Sequence, residues 1–111
     1  MPAANSDTAV VVPVYREAEV VGTVIDGLRA EFPRVICVDD GSPDGSGAIA
    51  RRHGAHVVTH RMNLGQGAAL QTGITAALRD SDVKYVVTFD GDGQHTVAGR
   101  CGCSLRFSLL R

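Results

Sequence analysis

Apolar residues are arranged along the chain in two alternating patterns. Short unbroken runs, "AVVVPV" (Ala9–Val14), "RVICVDD" (Arg34–Asp40), "AHVVTH" (Ala55–His60) and "KYVVTFD" (Lys84–Asp90), have the length and β-branched content of strands buried on both faces. Between the first two, Val20, Val21, Val24, Ile25 and Leu28 recur at three- and four-residue steps, predicting a helix within residues 17–32 that Pro33 closes. Ala69, Leu70, Gly73, Ile74, Ala77 and Leu78 form a similar stripe within residues 65–80. Residues 42–54 predict a shorter helix, with Ser42 as N-cap, Pro43 at the first helical position and Gly54 as the stop. Gly45 and Gly47 weaken that segment. The alternation of strand and helix predicts an α/β domain: an open, mainly parallel sheet with helices on both faces.

Composition narrows the classes. The chain has 111 residues, 44% of them hydrophobic, enough for one core domain or part of one. Lys+Arg 11 against Asp+Glu 12 leaves no long-range field for nucleic acid or an anionic membrane surface, so an anionic ligand must be held locally. No apolar run approaches the roughly 18 residues of a membrane span, and the first ten residues carry no secretory pattern, so the cytosol is the expected compartment. Three cysteines give no disulfide framework. Cys37 reads as a small buried hydrophobe. Cys101 and Cys103, one residue apart and without a second pair, do not match zinc-ligand spacing even with His95. His53, His56 and His60 surround the third strand; His56 and His60 share a face and read as solvated or structural residues.

Polar residues gather where the strands end: "PVYREAE", "DDGSPDG", "HRMNLGQG" and "DGDGQH". In open α/β sheets ligands bind beyond the carboxyl ends of the strands, so these four loops can share a site. In an extended "DGDG", Asp90 and Asp92 point to the same side. Two adjacent carboxylates repel unless a cation or a proton intervenes, and a hard ion such as Mg²⁺ or Mn²⁺ suits their oxygens. Gly91 and Gly93 keep the backbone slim for a phosphate. A polar turn closing a strand accounts for the tetrapeptide alone equally well.

Taken in order and spacing, "VVVPVYREAE", "CVDDGSPDG", "NLGQGAALQTG" and "VVTFDGDGQH" resemble the N-terminal nucleotide-sugar-binding half of family 2 glycosyltransferases, and most of all the polyprenyl- or dolichol-phosphate mannosyl- and glucosyltransferases. The resemblance implies a Rossmann-like GT-A fold, incomplete here. It places base and ribose against Pro13, Tyr15 and Glu17, assigns base reading to Asp40, lines the pocket with Val38 and leaves Asp39 ordering the turn. Arg61, Asn63, Gly65 and Gly67 match the family's third loop, although Gln66 stands where members often have lysine. Asp90, Gly91 and Asp92 match its metal-binding motif, with Gln94 near the sugar or diphosphate.

The implied partners are a UDP- or GDP-hexose and an acceptor such as a polyprenyl phosphate or a glycan, with Mg²⁺ or Mn²⁺ stabilising charge on the leaving diphosphate. Lipid-phosphate acceptors, common in the subgroup, leave membrane association open. The catalytic base of inverting members usually comes from further along the chain, and none is identifiable here. Residues 1–8 read as a tail, 9–95 as the incomplete donor domain, and 96–111 as an atypical tail without clear period, as a shifted reading frame or truncated gene gives. The alternative is a non-catalytic remnant that at most binds nucleotide. A phosphoacceptor receiver domain fits poorly, because "THRMN" ends the third strand where that class needs an aspartate.

Overall fold

The computed structural model describes residues 7–88, with the backbone of residue 89 and of 105–109. Strand β1 (Thr8–Val14) is followed by helix α1 (Val21–Arg29), β2 (Arg34–Asp39), α2 (Ser46–Arg52), β3 (His56–Thr59), α3 (Gln66–Leu78), β4 (Tyr85–Phe89) and β5 (Leu105–Leu109). The sheet order is β3-β2-β1-β4-β5. The first four strands are parallel, and β5 pairs antiparallel with β4. The chain therefore winds outward from β1 to β3 and returns to place β4 on the other side of β1. In such sheets the crevice beside that reversal, outside the strand carboxyl ends, is where ligands bind.

Side chains alternate across a strand, and β1 is apolar at both phases, so it feeds two cores. Val10, Val12 and Val14 join Val24, Ile25, Leu28, Cys37 and Ala50 on the face covered by α1 and α2. Ala9 and Val11 join Ile36, Val38, Ala69 and Ala77 on the face covered by α3. Each fully buried valine contributes about 1.5–3 kcal/mol relative to an exposed one. At Gly73, α3 lies so near β1 that an added Cβ would overlap Val11 Cγ1, and Val38 Cγ2 would be 3.1 Å away. Gly73 thus sets the closeness of helix and sheet.

Two expectations need correction. Helix α2 starts at Ser46 with Gly45 as N-cap, not at Ser42. The physical reason is that Ser42 and Asp44 spend their side chains on a neighbouring loop. The tail, read as lacking period, contains β5. The edge of β4 offers unpaired backbone groups to any extended segment, and "LRFSL" alternates apolar and other residues with the strand period.

Candidate functional site

Loops after β1, β2 and β3 meet at the carboxyl edge of the sheet. Backbone bonds carry the junction one residue past the strands: Asp40 N–H donates to the Val14 carbonyl and His60 N–H to the Asp39 carbonyl, each at 2.9 Å. Asp40 is 4% exposed. Its Oδ1 takes hydrogen bonds from His60 Nδ1 (2.8 Å) and Leu64 N–H (2.9 Å), and its Oδ2 one from Gly65 N–H (2.9 Å). Burial pushes the carboxyl pKa up, but the donors from His60, Leu64 and Gly65 outweigh it and hold Asp40 below its ordinary value. His60 Nε2 in turn meets Thr72 Oγ1 on α3 at 2.8 Å.

The middle loop grips the first one too. Ser42 Oγ accepts from Arg16 N–H (3.0 Å), Ser46 Oγ from Glu17 N–H (2.9 Å), and Asp44 Oδ2 from Ala18 N–H (3.2 Å). Ser46 donates its hydroxyl to Asp44 Oδ1 at 2.6 Å, a bond that lowers the Asp44 pKa. Arg16 has φ +55°, a left-handed conformation that costs a non-glycine residue about 1–2 kcal/mol. These bonds offset that cost. Gly41, at φ +80°, lies where an added Cβ would come 2.7 Å from the Met62 carbonyl carbon, so the middle and third loops touch backbone to backbone. Asp39 Oδ1 accepts from Ser42 N–H at 2.8 Å, ordering the turn as expected.

The expected site residues fall as follows. Pro13 is half-buried at the end of β1, opposite Val38. Tyr15 is 38% exposed, with the Arg16 guanidinium 5.5 Å above its ring. Glu17 is half-buried. Val38 is wholly buried under α3, so its side chain presents no surface to a ligand. Arg61, Asn63 and Gly67 are exposed, and Asn63 Oδ1 accepts from Gly65 N–H at 3.1 Å, bending the chain into α3. Asp90, Gly91, Asp92 and Gln94, the metal and diphosphate expectations, lie outside the described residues. Among the described residues no group of three or more His, Cys, Asp or Glu could hold a metal ion.

Residue patterns did not single out Ser42, Asp44, Ser46, His60 or Thr72 for this edge. His60 opens the third loop "HRMNLGQG" and shares a strand face with His56, but the residue pattern gives it no role of its own; its position directly after β3, level with Asp40 after β2, is the signal that could have found it. Two concavities are present on the described residues. One of about 450 Å³ runs beside Val58, Thr72, Thr75 and Arg79. The other, about 600 Å³, adjoins Arg34, Gly54 and His56 near the strand amino ends. Neither is bounded by Tyr15, Asp40 or Asn63.

Residues 9–98 match the pattern of Glycosyl transferase family 2. The chain belongs to this family. Relatives include an uncharacterized protein of Methanocaldococcus jannaschii, 42% identical over 78% of this chain and 35% of its own length. The polyprenol monophosphomannose synthase of Mycolicibacterium smegmatis is 34% identical, over 79% and 36%. Among solved structures, glucosyl-3-phosphoglycerate synthase from Mycobacterium tuberculosis, in complex with Mn²⁺, UDP-glucose and phosphoglyceric acid, aligns with a TM-score of 0.63 and 28% identity, over 78% of this chain and 33% of that one. Mannosyl-3-phosphoglycerate synthase from Rubrobacter xylanophilus shares the fold, with a TM-score of 0.68 at 23% identity over 81% and 32%. The chain thus spans about a third of the length of these relatives and solved structures. Its sheet is the GT-A type that the motifs implied. Among the described residues no helix is long and apolar enough to cross a membrane.

Proposed function

We propose that this chain is the donor-binding part of a family 2 glycosyltransferase, which holds a UDP- or GDP-hexose at the carboxyl edge of the sheet for transfer to an acceptor such as a polyprenyl phosphate. The observation that carries this reading is the meeting of the three strand ends at Asp40, whose N–H donates to the Val14 carbonyl of β1 and whose carboxylate accepts from His60, Leu64 and Gly65 after β3. Tyr15 offers an exposed ring for a base to stack on. A carboxylate has about four acceptor positions, and three on Asp40 are taken, which leaves one on Oδ2 for a single ring N–H. Uracil and guanine each present such a group. Glu17 would accept from ribose hydroxyls. Arg61 and Asn63 stand beside the first turn of α3, whose unsatisfied N–H groups and dipole favour a diphosphate.

Asp90 and Asp92 would hold Mg²⁺ or Mn²⁺, since paired carboxylates are the hard oxygen donors these ions select. When bound, the ion would supply Lewis-acid compensation for charge on the leaving diphosphate. Gly91 and Gln94 complete that segment. The nucleotide and Mn²⁺ in the Mycobacterium tuberculosis synthase structure support this reading. A lipid-phosphate acceptor, as in the relative named for polyprenol monophosphomannose, would bring the protein to a membrane surface.

Calorimetric titration of the purified chain with UDP and GDP, with and without Mn²⁺, tests the proposal. Mn²⁺-dependent binding that falls by more than about tenfold in Asp92→Ala is expected, because the substitution removes one of the two carboxylates proposed to hold the ion. A folded chain that binds neither nucleotide overturns the reading. Binding without sugar transfer would mark a nucleotide-binding module.

A further inference from the structure

The loop at residues 61–64 is exposed at every position, with Met62 at 63% and Leu64 at 56%. Burial of its side chains therefore does not hold it in place. Its anchors are polar: the Leu64 and Gly65 amides on Asp40, and the Asn63 side chain on Gly65. Asp40 can serve two amides from another loop only while its carboxylate plane is fixed. A carboxylate on a short side chain still rotates, and a third contact is what stops it. His60 provides that contact, from a ring that is itself nearly enclosed, with side-chain exposures of 9% for His60 and 5% for Asp40.

The two ring nitrogens have separate tasks. An ionised carboxylate only accepts, so Nδ1 carries a proton and donates to Asp40; in the neutral ring Nε2 then accepts from the Thr72 hydroxyl. Thr72 lies six residues beyond the start of α3, so the relay ties the body of that helix to the end of β2. We propose that His60, oriented by Thr72, is a positioning residue of the donor site: it locks the Asp40 carboxylate so that loop 61–65 and the start of α3 stand ready for a diphosphate. The proposal rests on the donor-binding reading for its ligand, but its structural half is measurable without one.

The test uses substitutions that keep one ring contact at a time. The Asn side chain places an amide nitrogen near the Nδ1 position, so His60→Asn retains the Asp40 contact and loses Thr72. Gln reaches the Nε2 position, so His60→Gln retains Thr72 and loses Asp40. Thr72→Val frees the ring without touching Asp40. Hydrogen exchange of the Leu64 and Gly65 amides, followed by NMR, reports the loop; calorimetry with UDP or GDP and Mn²⁺ reports the donor; thermal melts report global stability.

His60→Gln is expected to cut protection of those two amides by about tenfold or more and to raise the nucleotide Kd by a similar factor. His60→Asn should stay within about threefold of the parent on both measures, and Thr72→Val should fall between. Unchanged amide protection in His60→Gln overturns the proposal. So does protection lost with an unaltered Kd, or equal losses in the Asn and Gln variants that follow the drop in Tm. If His60→Gln does not fold, Thr72→Val decides: amides as protected as in the parent overturn the proposal. If the parent binds neither nucleotide while the variants still release the amides, the donor reading alone falls and the locking role of His60 stands.

Discussion

A carboxylate in the interior is stable only when its lone pairs are occupied, and Asp40 meets that condition with three donors from the segment after β3. Its pH behaviour follows. The folded value lies below the ordinary 3.8, so Asp40 contributes stability that is fully present above that pH and is lost as the pH falls below it, toward the folded value. Asp40→Asn should lower stability by about 2 kcal/mol near neutrality and flatten the decline of urea midpoint below about pH 4. Cys37 behaves oppositely. Burial, then the carboxylates of Asp39 and Glu17, push its thiol up to about 12, and it is 0% exposed. In a Cys101→Ser/Cys103→Ser background, a thiol-reactive dye should label nothing until denaturant is added. At this scale the sequence made Cys37 legible, because a cysteine among Val and Ile in a strand has no role but packing. It made Asp40 legible only as a type: which donors surround it depends on a segment twenty and more residues away.

Helices α1 and α3 were readable because their apolar stripes coincide with the buried faces: Val21, Val24, Ile25 and Leu28 in one, Ala69, Gly73 and Ala77 in the other. The start of α2 was not. A Ser-Pro pair is a good helix opening, but here Ser42 serves Arg16 and the helix waits for Ser46. Local propensity lost to a contact spanning 26 residues. Ser46→Ala should leave the Glu17 amide without its partner in a buried setting and cost about 1–3 kcal/mol, measured by urea unfolding. Gly73→Ala should cost about 1–3 kcal/mol by pressing α3 off Val11, and a compensating Val11→Ala should recover part of the loss.

For the molecule as a whole, the alternation of strands and helices carried the fold class, and a β1 apolar at both phases announced helices on both faces. The lateral order β3-β2-β1-β4-β5 was not in any periodicity, since neighbours in a sheet are chosen by packing and connection, not by residue spacing. The antiparallel β5 was missed because its alternation runs over only the five residues of "LRFSL". Two cores on one sheet should unfold together: far-UV ellipticity and Tyr15 or Tyr85 fluorescence are expected to give coincident urea transitions, as small single domains do.

The segment after β2 holds its two neighbours by different means, hydroxyls and a carboxylate toward the first and a buried acid with a bare Cα toward the third. A deep mutational scan should therefore show intolerance concentrated at 40–46 and permissiveness at Met62, whose side chain faces outward. Attempts to retune which donor is accepted have their freedom in the flanking segments, because altering the central one dismantles both sides at once.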